Sequence, residues 1–496
     1  MTCQLHVPAT ERALTTDALS DAFELTIDGV SYPAAGSFGV VNPATGEAFA
    51  EAPATDQAGL DAAFTSADRA YRTWRGDEAA RRAGLLAAAS AIEACTEELA
   101  PVLTAEQGQP LDSARMEFRL SAAWLRYYAG LDLPREVIRD DAQAYEQVVR
   151  KPLGVVAAIT PWNVPVALAM WKIAPALRAG NTVVVKPSPY TPLTTLALGR
   201  VLRGVLPDGV LNVVAGPDPL GAQLVAHPVP RKISFTGSTA TGKKVAVSAA
   251  GDLKRVTLEL GGNDPAILLD DIDVDKVAQS LFWSAFRNSG QVCLAVKRVY
   301  AHQSVHARLV DALADIARSV KVGAGADEGV QLGPLQNKPQ FERVAGLVRD
   351  AVGRGGRAVA GGEPLPGSGY FYAPTILDRV DDGAPIVAEE QFGPALPVLP
   401  FSDEAEVLNR ANSSHYGLTA SVWSGDPERA LAFAAGVDAG QVAVNGHGRG
   451  VLPHLPFGGH KWSGIGVENG PWGLYGFTEL QVLAAPSRHL AREASS

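Results

Sequence analysis

Apolar residues recur at helical spacing from Ala58 to Thr104, in a stretch rich in Ala, Leu, Arg and Glu, and again from Ala114 to Tyr128. Both stretches are therefore expected to be helical. Before them, Leu25–Val30 reads as a strand and turn, and Asn42-Pro43-Ala44-Thr45-Gly46-Glu47 as a second turn. The period then changes. Gln147–Arg150 alternates, and Gly154–Ile159, Thr182–Lys186, Val210–Val214 and Lys232–Phe235 are short apolar runs. Helical patterns separate them at Ala167–Ala179, Leu193–Leu206 and Leu220–Ala226. Strands alternating with helices of these lengths imply βαβ units and a parallel, doubly wound sheet. After Leu260 the grammar restarts, with a helix expected over Val274–Ser289, a strand over Val296–Ala301 and a helix over Val305–Val320. A second α/β domain is the simplest account. Val352–Gly369 reads as an exposed Gly-rich loop, and Leu480–Leu483 as a strand able to pair, including with a partner subunit.

A chain of 496 residues exceeds a single hydrophobic core, which agrees with this division. The formal net charge of −10 disfavours nucleic acid, whose phosphates need a basic surface. No basic region followed by an apolar run opens the chain, and the longest apolar stretches are far too short to span a bilayer. A soluble cytoplasmic protein with no membrane partner is expected. Three cysteines, Cys3, Cys95 and Cys293, with no paired spacing, argue against a disulfide framework and a zinc site. His302 and His306 are spaced i, i+4, but no carboxylate or cysteine joins them, so no metal is expected.

Four segments carry chemistry. Asn163 in Pro161-Trp162-Asn163-Val164-Pro165 offers an amide donor from a rigid turn, and Glu259 in Leu258-Glu259-Leu260-Gly261-Gly262 a carboxylate beside flexible backbone. Cys293 in Gly290-Gln291-Val292-Cys293 offers sulfur with room for a substrate, and Glu390 in Glu389-Glu390-Gln391-Phe392-Gly393-Pro394 a second carboxylate. An oxyanion donor, a general base, a nucleophile and a ribose clamp are the parts needed to oxidise an aldehyde through a thioester. The Phe235–Gly242 segment, which follows one strand and opens a helix, lets backbone N–H groups approach a pyrophosphate, although it lacks the usual G-x-G-x-x-G spacing.

In this order the segments resemble the aldehyde dehydrogenase superfamily over nearly the whole chain. The resemblance implies a modified Rossmann cofactor domain over residues 20–131 and 153–258 and a second α/β catalytic domain over 259–462. A small β oligomerisation arm and tail over 132–152 and 478–490 would build a homodimer or homotetramer. It places Lys186 on the adenosine ribose, Gly237 and Ser238 at the pyrophosphate, Glu390 on the nicotinamide ribose, and Trp162, Phe392 and Pro189 beside the cofactor. Many NAD-preferring members have Glu where this chain has Pro189, and that Glu repels a 2′-phosphate. The expected cofactor is therefore NAD, with NADP tolerated better than in Glu-bearing relatives.

Lys172 and Glu468 match positions that relatives use as a proton path, with a surface ion pair as the alternative. Because branches that pass the acyl group to coenzyme A lack the Glu, Glu259 implies water as acceptor and a free acid as product. The resemblance lines the substrate tunnel with Val164, Leu168, Trp171, Val292, Leu294 and Phe457. That wall favours an uncharged aliphatic or aromatic aldehyde. The alternatives are a semialdehyde dehydrogenase anchored by a cation such as Arg287, and a catalytically silent binding protein on the same fold.

Overall fold

The computed structural model describes residues 23–448 and 451–486. Five parallel strands form the centre of the first sheet, in the order Leu211–Val213, Thr182–Lys186, Val155–Ile159, Lys232–Thr236, Arg255–Glu259. Leu25–Ile27 pairs antiparallel at one edge, and Gly464–Ile465 at the other. The first three strands in sequence run outward from Val155–Ile159, and the next two run the other way. The order therefore reverses between Val155–Ile159 and Lys232–Thr236, the point at which open α/β sheets form a ligand crevice. Nearly every side chain in these central strands is buried, which is why they read as continuous apolar runs.

A second sheet has the order Arg357–Ala360, Thr375–Asp378, Ala395–Phe401, Val296–His302, Asp264–Leu268, Thr419–Trp423, Gln441–Val444. It is parallel except for its first pair. Arg135–Asp140, Ala144–Pro152 and Thr478–Pro486 make a separate antiparallel sheet. The C-terminal strand thus pairs with Ala144–Pro152 of its own chain. No helix among the described residues is long and apolar enough to cross a membrane.

Several expectations need correction. The helical stretch from Ala58 is three helices, Gln57–Trp74, Glu78–Ala94 and Thr96–Gln107. Asp77 starts the second by accepting a hydrogen bond from the Ala80 N–H. The helix from Leu193 stops at Val201, and the Gly-rich stretch contains the edge strand Arg357–Ala360. Cys293 is a free cysteine, and Cys3 lies outside the described residues.

The most consequential difference lies before the candidate nucleophile. The helix from Val274 ends at Phe286, and Asn288, Ser289 and Gly290 are all left-handed, with φ of 53°, 54° and 74°. That conformation costs roughly 1–2 kcal/mol at each non-glycine residue. Side chains offset it here. Asn288 donates to the Asn163 carbonyl at 3.0 Å, and Ser289 to the Gly333 carbonyl at 2.6 Å. Helical periodicity does not register such tertiary bonds, so the pattern ran on through Ser289.

Candidate active site

The crevice is lined by chain segments leaving the two strands at the reversal. After Ile159 comes Trp162-Asn163, and after Thr236 comes Gly237-Ser238, where Ser238 caps the Thr239–Ala250 helix by accepting from the Thr241 N–H. A Cβ at Gly237 would stand 2.6 Å from the Phe235 ring, so any side chain there would have to displace that ring. Lys186, at the end of its strand, is 5% exposed, which removes the reading of a lysine reaching to the surface. Its ammonium donates to the adjacent Pro187 carbonyl at 3.0 Å, and burial brings its pKa down to about 8. Pro189 is half-buried nearby in the chain.

Asn163 is buried and donates through Nδ2 to the Gln291 carbonyl at 3.0 Å, which ties the Pro-flanked turn to the segment before Cys293. The helix that follows it, Pro165–Ala179, is held at its N-terminus by Glu117. That carboxylate accepts from the Val166 and Ala167 N–H groups at 2.7 and 3.1 Å. Cys293 lies in a turn closed by the Ala295 N–H on the Val292 carbonyl. Burial is the largest cause pushing the half-buried thiol up to about 12, and Lys297 opposes the shift. Glu390, Glu259 and Asp264 add to it. A Cβ at Gly262 would stand 2.8 Å from the Cys293 carbonyl oxygen, so the two motifs touch through glycine backbone.

Glu259 is more deeply buried than a half-exposed carboxylate, at 3% exposure. Neither of its oxygens has a hydrogen-bond partner among the described residues. Desolvation holds its pKa well above the usual carboxylate range, the Glu468 charge adds to that, and Lys172 opposes it. Lys172 and Glu468 are not surface residues. Their side chains are 0% and 1% exposed and form an ion pair at 2.7 Å. Lys172 also donates to Thr236 Oγ1 at 2.6 Å, and Thr236 stands opposite Glu259 across the parallel pair.

Glu390 accepts from the Gly262 N–H at 3.1 Å, and burial raises its pKa to about 7. Phe392 meets Trp162 edge to face at 5.3 Å. Leu168, Trp171 and Phe457 belong to one buried cluster, against which Val164, Cys293 and Leu294 pack. Val292 is half-buried and stands outside that cluster, and Arg287 is exposed. The sequence reading missed Trp124, which stacks on Trp171 at 5.4 Å and donates to Asn469 at 2.8 Å, while Phe457 meets Trp171 edge to face. It missed Glu117 and Lys297 as well. A charged residue on an otherwise buried helix face or strand was the available signal for both.

The aldehyde dehydrogenase family profile matches residues 32–483. A phenylacetaldehyde dehydrogenase of Pseudomonas fluorescens is 40% identical, over 94% of this chain and 96% of its own. A relative from Sinorhizobium fredii, named "Probable succinate-semialdehyde dehydrogenase [NADP(+)]", is 38% identical over 90% of this chain and 92% of its own. The NAD+ complex of a Bacillus cereus aldehyde dehydrogenase superposes with a TM-score of 0.91 at 36% identity, covering 94% of this chain and 96% of that one. The chain belongs to the aldehyde dehydrogenase family.

Proposed function

We propose that the protein oxidises an uncharged aliphatic or aromatic aldehyde to the free carboxylic acid through a thioester on Cys293. The observation that carries this reading is the buried Glu259 carboxylate, which has no hydrogen-bond partner among the described residues and whose charge acts on the Cys293 thiol. Sulfur adds to the carbonyl carbon, and the resulting oxyanion accepts hydrogen bonds from the Asn163 amide and the Cys293 N–H. One Asn163 N–H is already committed to Gln291, which fixes the direction of the other. NAD(P) supplies the hydride acceptor when bound. Water then attacks the thioester carbonyl, giving up its proton to Glu259 as the C–S bond breaks and the acid leaves. From Glu259 the proton passes toward the buried Lys172–Glu468 pair, both of whose charges act on the Glu259 carboxyl.

Lys186, Gly237, Ser238, Trp162, Phe392 and Glu390 fit a dinucleotide. Two features suit such a ligand: a buried ammonium whose one hydrogen bond among the described residues goes to its neighbour's carbonyl, and a glycine at a helix start with the Phe235 ring close against it. The first sheet and its helices would form the cofactor half, the second sheet the catalytic half, and the antiparallel arm the surface for a dimer or tetramer. With Pro189 in place of an acidic residue, NADP meets no repulsion there. The aromatic wall of Trp124, Trp171 and Phe457, with Arg287 exposed, favours aryl or alkyl side chains over a carboxylate.

Formation of reduced nicotinamide with alkyl, aryl and carboxylated aldehydes, each with NAD and NADP, tests the reading beside Cys293→Ala. Turnover of uncharged aldehydes that disappears in the variant is expected. Preference for a semialdehyde would replace the substrate assignment, and turnover surviving in the variant would overturn the mechanism.

A further inference from the structure

Lys297 lies in the Val296–His302 strand and is 1% exposed, so its ammonium does not reach solvent as a lysine on an apolar wall usually does. It turns instead onto the nucleophile's own turn. Three backbone carbonyls accept from it: Val292 at 2.5 Å, Cys293 at 3.3 Å and Ala295 at 3.3 Å. The backbone of Lys297 is held too. Gln391 donates to the Lys297 carbonyl at 2.7 Å and to the Ala395 carbonyl at 2.8 Å. The segment bearing Glu390 and Phe392 is thereby docked on the same residue, with the ammonium 5.6 Å from the centre of the Phe392 ring.

Burying a cation is costly unless something nearby uses the charge. The hydrogen-bond partners here are carbonyls, which orient the ammonium without neutralising it. A neutral side chain could cap one or two of those carbonyls. The charge matters because Cys293 is surrounded by Glu390, Glu259 and Asp264, all of which disfavour a thiolate, while Lys297 is the opposing charge among the groups that face it.

We propose that Lys297 is a positioning residue acting through Cys293: it fixes the 292–295 turn by its carbonyls and supplies the positive charge that favours the thiolate. The inference rests on the reading of Cys293 as nucleophile. It is tested by the pH dependence of alkylation with iodoacetamide on the full-length protein, with the modified residue located by peptide mass mapping. Lys297→Gln keeps N–H donors for the carbonyls and removes the charge, whereas Lys297→Arg keeps the charge.

The Lys297 ammonium stands 3.3 Å from the Cys293 carbonyl oxygen. An opposite charge within about 4–6 Å shifts a pKa by about 1–3 units, so at each pH from about 7 to 9, well below the thiol midpoint, the Gln variant should be alkylated about tenfold or more slowly than the wild type. The Arg variant should stay within about threefold of the wild type, since the opposite charge is retained. A Gln variant alkylated at the wild-type rate overturns the proposal. Equal slowing in both variants overturns it too, because that would mean packing and not charge. Should the Gln variant fail to fold, a folded Arg variant decides, its retained rate supporting the proposal and a slowing of about tenfold refuting it. Alkylation mapped away from Cys293 sinks the nucleophile reading itself, a result distinct from an unchanged rate.

Discussion

Glu259→Gln should make the protein more stable and the enzyme slower, and the structure says in which pH range. The wild-type carboxylate is buried, has no hydrogen-bond partner among the described residues, and lies near the Glu468 charge. Its folded-state pKa is raised, so the folded protein keeps a proton that the unfolded chain releases above about 4.3. Stability is therefore complete below that value and declines as pH climbs toward the folded pKa. Glutamine does not titrate. The melting-temperature difference, variant minus wild type, should be smallest near pH 5 and grow as pH rises.

Each unit of displacement is worth about 1.4 kcal/mol. The glutamine amide is itself a buried polar group, so the gain near neutral pH comes from the lost titration alone and is of the order of a few such units. Catalysis moves the other way. Without a base, hydrolysis should slow by about 10²- to 10⁴-fold, while the first burst of reduced cofactor survives. Thermal melting across pH 5–9 and rapid-mixing kinetics provide both readouts. A variant that melts below the wild type at every pH, or a burst that falls as much as the steady state, would refute the reasoning.

Other consequences follow from the same geometry. Asn163→Ala should cut the burst rate by about 10²- to 10³-fold, and a burst within threefold of the wild type would remove Asn163 from the oxyanion site. Lys172→Met leaves the Glu468 carboxylate buried without its cation and should destabilise the fold by about 3–5 kcal/mol, read as a lower denaturant midpoint. Pro189→Glu should lower kcat/KM with NADP by about tenfold or more relative to NAD, since about 1.4 kcal/mol of charge repulsion suffices; an unchanged ratio would separate Pro189 from the 2′-position.

The layered α/β architecture was legible because buried parallel strands such as Thr182–Lys186 are continuous apolar runs between helical periods, a local property of the chain. The chemistry-bearing residues were legible as well, since Asn163, Glu259, Cys293 and Glu390 each stand in a Gly- or Pro-marked segment. Their surroundings were not. Whether Lys172 and Glu468 form a buried pair or a surface one depends on residues 296 positions apart meeting between a helix and a sheet. Trp124 was hidden in a plain helical pattern until the Pro165–Ala179 helix brought Trp171 against it.

The left-handed Asn288–Gly290 run depends on long-range hydrogen bonds, and the Lys297 ammonium under the Cys293 turn depends on burial. Neither leaves a periodic trace. Sequence by itself determined which elements form and which reactive groups exist, because those follow from local spacing and side-chain chemistry. Tertiary structure alone decided which charges lose water and which carbonyls they face, because desolvation and long-range pairing arise only when distant segments pack together.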